Sequence, residues 1–142
     1  MAFSWLLLSG LLLSSCEHTD CGCVAPPGFS DSQLLHTWRL DEISQAGKVL
    51  SSGTAIKDQY TLTFKTKGSY TQTILASGNE LSGTWQLTSN GHALELTDHK
   101  GDIQAYAIEG SWPHGGSIPE QISLYRENKD KLVETLVFSL VP

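Results

Sequence analysis

The stretch Leu81-Ser82-Gly83-Thr84-Trp85-Gln86-Leu87 decides how this chain folds. Leu81, Gly83, Trp85 and Leu87 fall at alternate positions, with Ser82, Thr84 and Gln86 between them. Successive side chains of a β-strand point to opposite faces, so this spacing makes one apolar face and one polar face. Leu34-Leu35-His36-Thr37-Trp38-Arg39-Leu40 repeats the pattern, and both copies read Leu-x-x-Thr-Trp-x-Leu. Burying one Trp removes about 150–250 Å² from water. Two indoles on inner faces would therefore dominate the core of a small β-structure.

Outward from these two strands the chain is strands and turns, with weak helical periodicity. The first strand is predicted over residues 34–44, with Leu34, His36, Trp38 and Leu40 sharing a face. Residues 48–57 read either as a short edge strand or as a loop. Residues 59–66 alternate, Tyr60, Leu62 and Phe64 against Thr61, Thr63 and Lys65, and a tight turn at Gly68 leads into 70–75. Asn90-Gly91 is the strongest hairpin signal in the chain. Further strands are predicted over 93–97, 103–110, 121–127 and 132–141. The last is apolar on both sides and is placed to zip against the first. About eight strands joined by short turns imply an all-β fold, an up-and-down antiparallel β-barrel, closed so that no edge is exposed.

The N-terminal residues read differently. Residues 1–15 carry no charged side chain, and Leu6-Leu7-Leu8-Ser9-Gly10-Leu11-Leu12-Leu13 is an apolar run too short to span a bilayer. It fits the hydrophobic region of a secretory signal. Residues 16–32 read as a tether, in which Pro26-Pro27-Gly28 stops helix and central strand alike. Cys21 and Cys23 lie in it beside His18. A local or intermolecular disulfide, a soft-metal site and thiols without a role are all open for them. Residues 33–142 form the barrel domain.

Two resemblances follow from these motifs. Leu13-Ser14-Ser15-Cys16 resembles the lipobox of bacterial lipoproteins, which implies that Cys16 is acylated and becomes the first residue of the mature chain. A Gly-x-Trp strand at Gly83 and Trp85, a first such strand at Trp38 in which His36 replaces the Gly, and Tyr60-Thr61-Leu62-Thr63-Phe64 with Gly68 resemble the lipocalin-like domains of small lipoproteins of Bacteroidota. The resemblance spans roughly residues 34–140. It implies a barrel hung from a lipid membrane through Cys16, in the cell envelope at the outer membrane, with the membrane face left open. It also implies that Arg126 packs across Trp38 at a closed end; a solvated Arg126 is the other reading.

The barrel interior is the candidate site. Trp38, Phe64, Tyr70 and Trp85 are the predicted inward aromatics, joined by Arg126. They either fill an eight-stranded barrel or line an apolar pocket in it. Trp112 and His114, in the longest loop, are a candidate lid. None of the five His sits in a metal-spaced cluster, and no nucleophile elbow or phosphate loop is present, so the sequence gives no grounds for an enzyme or a cofactor. A net charge of −6 argues against nucleic acid as a partner. Two functions follow: a lipid-anchored protein binding a small apolar or amphipathic molecule, or a solid barrel acting as an interaction or inhibitor module on an envelope protein. A connected cavity of about 300 Å³ or more beside Trp38 and Trp85 would favour the first.

Overall fold

A computed structural model describes residues 27–142. Nine strands make one antiparallel sheet: β1 (Thr37–Gln45), β2 (Lys48–Ser52), β3 (Tyr60–Lys65), β4 (Ser69–Ile74), β5 (Glu80–Thr88), β6 (Ala93–Asp98), β7 (Ile103–Ser111), β8 (Gln121–Glu127) and β9 (Val133–Leu140). Each strand from β3 to β9 pairs with its sequence neighbour, and β1 pairs with both β3 and β9. Eight strands therefore close into an up-and-down barrel, with β2 added outside the ring. The doubly apolar β9 does zip against β1, from Trp38 opposite Leu140 to Gln45 opposite Glu134.

The alternation of the sequence becomes the alternation of the wall. Trp38, Leu40, Leu62, Phe64, Trp85, Leu94, Ile122, Leu124 and Phe138 are buried inside. Phe64 meets Trp85 edge to face at 5.3 Å, and the Trp85 indole N–H donates to the Lys65 carbonyl at 3.2 Å. An indole buried without a partner for its N–H would forfeit about a hydrogen bond's worth of stability.

The first strand begins later than the spacing predicts. Residues Asp31–Leu34 form a single helical turn, α1, whose start is held by the Ser30 N–H donating to Oε1 of Gln33 at 2.9 Å. Leu34 is still fully buried, and its carbonyl accepts the Trp38 indole N–H at 3.1 Å. The turn thus caps one end of the barrel, and strand pairing starts at Thr37.

A bulge then resets the face of β1. Leu40 lies opposite Phe138, but Glu42 lies opposite Val137, so Asp41 is an extra residue in the ladder. An extra residue reverses which side chains point inward. Beyond it Ile43, opposite Leu136, packs against the core. At the same place β1 changes partner: residues 37–39 pair with β3, and residues 42–45 pair with β2. The ambiguous 48–57 segment is therefore a short edge strand followed by a turn, with Val49 and Leu50 exposed on it.

The end of the predicted tether belongs to the barrel. Phe29 is buried, and its N–H donates to the Gly91 carbonyl at 2.9 Å. Gly28 and Gly91 lie backbone against backbone here, and a Cβ on either would collide with the other segment. Gly91 also sits at φ 85° in the β5–β6 turn, after Asn90 at φ 56°. Glycine meets both demands without strain. The predicted signal at 1–15 and Cys16, Cys21, Cys23 and His18 lie outside the described residues.

Candidate functional site

The interior has two ends of different character. At one, α1, Trp38, Phe64 and Trp85 fill the barrel. At the other lies a cavity of about 220 Å³. Leu62, Leu96, Leu124, Leu136 and Phe138 form its apolar floor. Tyr60, Tyr70 and Tyr106 bring rings and hydroxyls to the wall, with the amides of Gln72 and Gln104. Asp98, His99 and Asp102, from the β6–β7 turn, stand at the rim.

Of the residues predicted for the interior, Trp38, Phe64 and Trp85 are core and do not line this cavity; Tyr70 does. Arg126 points inward, two residues beyond Leu124, but it is not across Trp38. It sits at the opposite end, where its Nε donates to Glu134 at 2.5 Å, and Nη1 donates to Gln104 Oε1 and the Tyr106 hydroxyl, both at 3.3 Å. Its guanidinium lies 5.4 Å from the centre of the Tyr106 ring. The hairpin register sets this placement, because Arg126 pairs directly with Glu134. His36 takes the place beside Trp38, the two rings near perpendicular with centres 6.4 Å apart.

The electrostatics of the cavity follow from burial. Desolvation pushes the Tyr60 phenol far above its ordinary pKa, with the neighbouring Tyr106 adding to the shift. The Tyr106 phenol is raised by the same cause. The Tyr70 phenol is raised by burial and by the Asp98 carboxylate. All three are therefore neutral hydrogen-bonding groups over the physiological range. Burial works against the charge on Arg126, yet the hydrogen bond and charge of Glu134 outweigh it and its pKa is raised. Asp98 is held below the usual carboxylate range, chiefly by the N–H of Asp102 and also by that of Lys100. Both N–H groups donate to a single oxygen, Oδ1, at 2.9 and 2.8 Å.

The loop residues lie elsewhere. Trp112 stacks at 5.3 Å on Phe29 and lines a broad groove of about 720 Å³ at the filled end, with Ile108, Gly110 and His92. It does not cover the Tyr-lined cavity. His114 is exposed in the same loop and lines neither space. Among the described residues no cluster of His, Cys, Asp or Glu suits a metal ion, and no helix is long and apolar enough to cross a membrane.

The residues missed by sequence reading are Tyr60, Gln72, Asp98, Gln104, Tyr106 and Glu134. A parity signal for them was present. Gln72 lies two residues from Tyr70, Asp98 two from Leu96, Gln104 two from Tyr106, and Glu134 two from Leu136. Polar residues that keep the inward phase at strand ends mark a wet mouth. In comparisons with known proteins, no family model, no curated protein and no solved structure matches the chain.

Proposed function

We propose that this protein is a lipid-anchored, lipocalin-like β-barrel of the cell envelope that holds one small amphipathic molecule inside its barrel. The cavity of about 220 Å³ carries this reading. A space with a leucine floor and polar walls suits a ligand with an apolar body and a polar head. It is smaller than the roughly 300 Å³ at the low end of ordinary ligand pockets, and it is not beside Trp38 and Trp85. Both facts narrow the ligand to a single ring or a short chain. Fatty acids, retinoids and haem are too large to enter.

The test is thermal unfolding of the full-length protein against a panel of single-ring and short-chain amphiphiles, with palmitate and retinol as oversized controls. A rise in Tm is expected with members of the small set alone. No rise with any small compound would overturn the reading. Intrinsic Trp emission is a poor reporter here, because Trp38 and Trp85 lie at the filled end. The anchor has its own test: the mature protein should carry acyl mass on Cys16, and Cys16→Ser should lose both that mass and membrane association.

A second reading is supported by a separate feature. Val49 and Leu50 are exposed on β2, and β2 has no strand on its other side among the described residues. An open edge with apolar side chains is where a strand of another protein can add. This favours the module reading if the cavity proves to bind nothing.

A further inference from the structure

The chemistry of the cavity goes further than "small and amphipathic". Its lining includes the carboxylates of Asp98 and Asp102 and no Lys or Arg. Lys100 is in the same turn but does not line the space. Arg126, at the same end of the barrel, is paired with Glu134. An anionic ligand in this space would face the carboxylates of Asp98 and Asp102.

The aromatic walls point the same way. Tyr60, Tyr70 and Tyr106 surround the space, and a ring face attracts a cation within about 6 Å of its centre. Tyr106 already does so for Arg126, at 5.4 Å. The Tyr60 hydroxyl has no hydrogen-bond partner among the described residues, and no buried polar side-chain atom there is left unpartnered, so this hydroxyl opens onto free space. Asp98 uses Oδ1 for both of its side-chain hydrogen bonds in the turn, which leaves Oδ2 available.

We propose that the cavity binds a small organic cation, an amine or quaternary ammonium on an apolar body. Its head sits among Tyr60, Tyr70 and Tyr106 beside the Asp98 carboxylate, and its body rests on the leucine floor. The volume matches that of about seven waters in the liquid, so the ligand has about seven to ten non-hydrogen atoms. This inference rests on the ligand-binding reading above and specifies its ligand class.

Titration calorimetry of the full-length protein with phenethylamine, phenethyl alcohol and phenylacetate tests it, since the three share a ring and differ in charge. The ammonium is expected to bind about tenfold more tightly than the alcohol, with phenylacetate weakest. Asp98→Asn keeps an Oδ1 acceptor for the turn. It is expected to weaken the ammonium about tenfold and leave the alcohol unchanged. An alcohol or carboxylate that binds as tightly as the ammonium would overturn the cation proposal and leave the ligand reading standing. So would an Asp98→Asn variant that retains the ammonium's advantage. Silence from all three probes, together with no Tm shift across the amphiphile panel, would remove the ligand reading and this proposal with it.

Discussion

The two ends of the barrel are built from one alternation and serve opposite ends. At the filled end the inward positions carry Trp38, Phe64, Trp85 and Leu94, and α1 closes over them. At the other end the same phase carries Tyr60, Gln72, Asp98, Gln104 and Glu134, and space is left between them. Large apolar side chains pack to crystal-like density and exclude water. Tyr106, Gln104, Arg126 and Glu134 are held by hydrogen bonds among themselves, and side chains so held cannot also collapse into the gap. Apolar packing is concentrated at the first end and open, polar-walled space at the second.

The comparison can be broken most forcefully at Trp38. Trp38→Ala is expected to cost about 3–5 kcal/mol in urea unfolding, because the ring is fully buried and its N–H holds α1. A much smaller loss would mean that the filled end does not carry the fold. A pH experiment sharpens the other side. Burial raises the Tyr60 pKa, so the folded chain retains a proton that the unfolded chain releases. Its contribution is intact below the ordinary tyrosine value of about 10 and declines as pH rises toward the folded value. The loss should reach about 1.4 kcal/mol per pH unit for each such group, and Tyr60→Phe should reduce the slope of urea stability above about pH 10. An unchanged slope would mean that the phenol is not held neutral in the wall. The smallest effect is expected for Glu134→Gln. Arg126 and Glu134 are 38% and 26% exposed, and a pair so placed contributes less than about 1 kcal/mol. A loss rivalling that of Trp38→Ala would erase the distinction between the ends.

The fold was legible because period-two alternation is a property of consecutive residues. Trp85 between Gly83 and Leu87, and Tyr60-Leu62-Phe64, needed no knowledge of partners. Asn90-Gly91 announced its turn through the left-handed backbone both residues adopt. The bulge at Asp41 was not legible, since an extra residue in a ladder is defined by the opposite strand and no side chain announces it. Phe29 was hidden by its neighbours. Pro26, Pro27 and Gly28 read as a spacer, whereas Gly28 is there for a close backbone approach to Asn90 and Gly91.

The site was less legible than the fold. Of the predicted interior residues, Trp38, Phe64 and Trp85 fill the barrel, one of the two roles the sequence left open, and Tyr70 lines the cavity. Arg126 was expected across Trp38 and lies at the opposite end, because the end is fixed by its pairing with Glu134 and not by its own neighbours. The charged and amide groups of the mouth come from several strands. Their convergence becomes visible only once the ring has closed.

The seam between Phe29 and Gly91 decides at which end the described chain joins the barrel. The described chain enters at the sealed pole, where its backbone is locked into the β5–β6 corner. Pro27 therefore stands at the base of the cup, at the opposite end of the barrel from the Tyr-lined opening. A pull applied to the described chain at Pro27 would meet the packed pole before the rim.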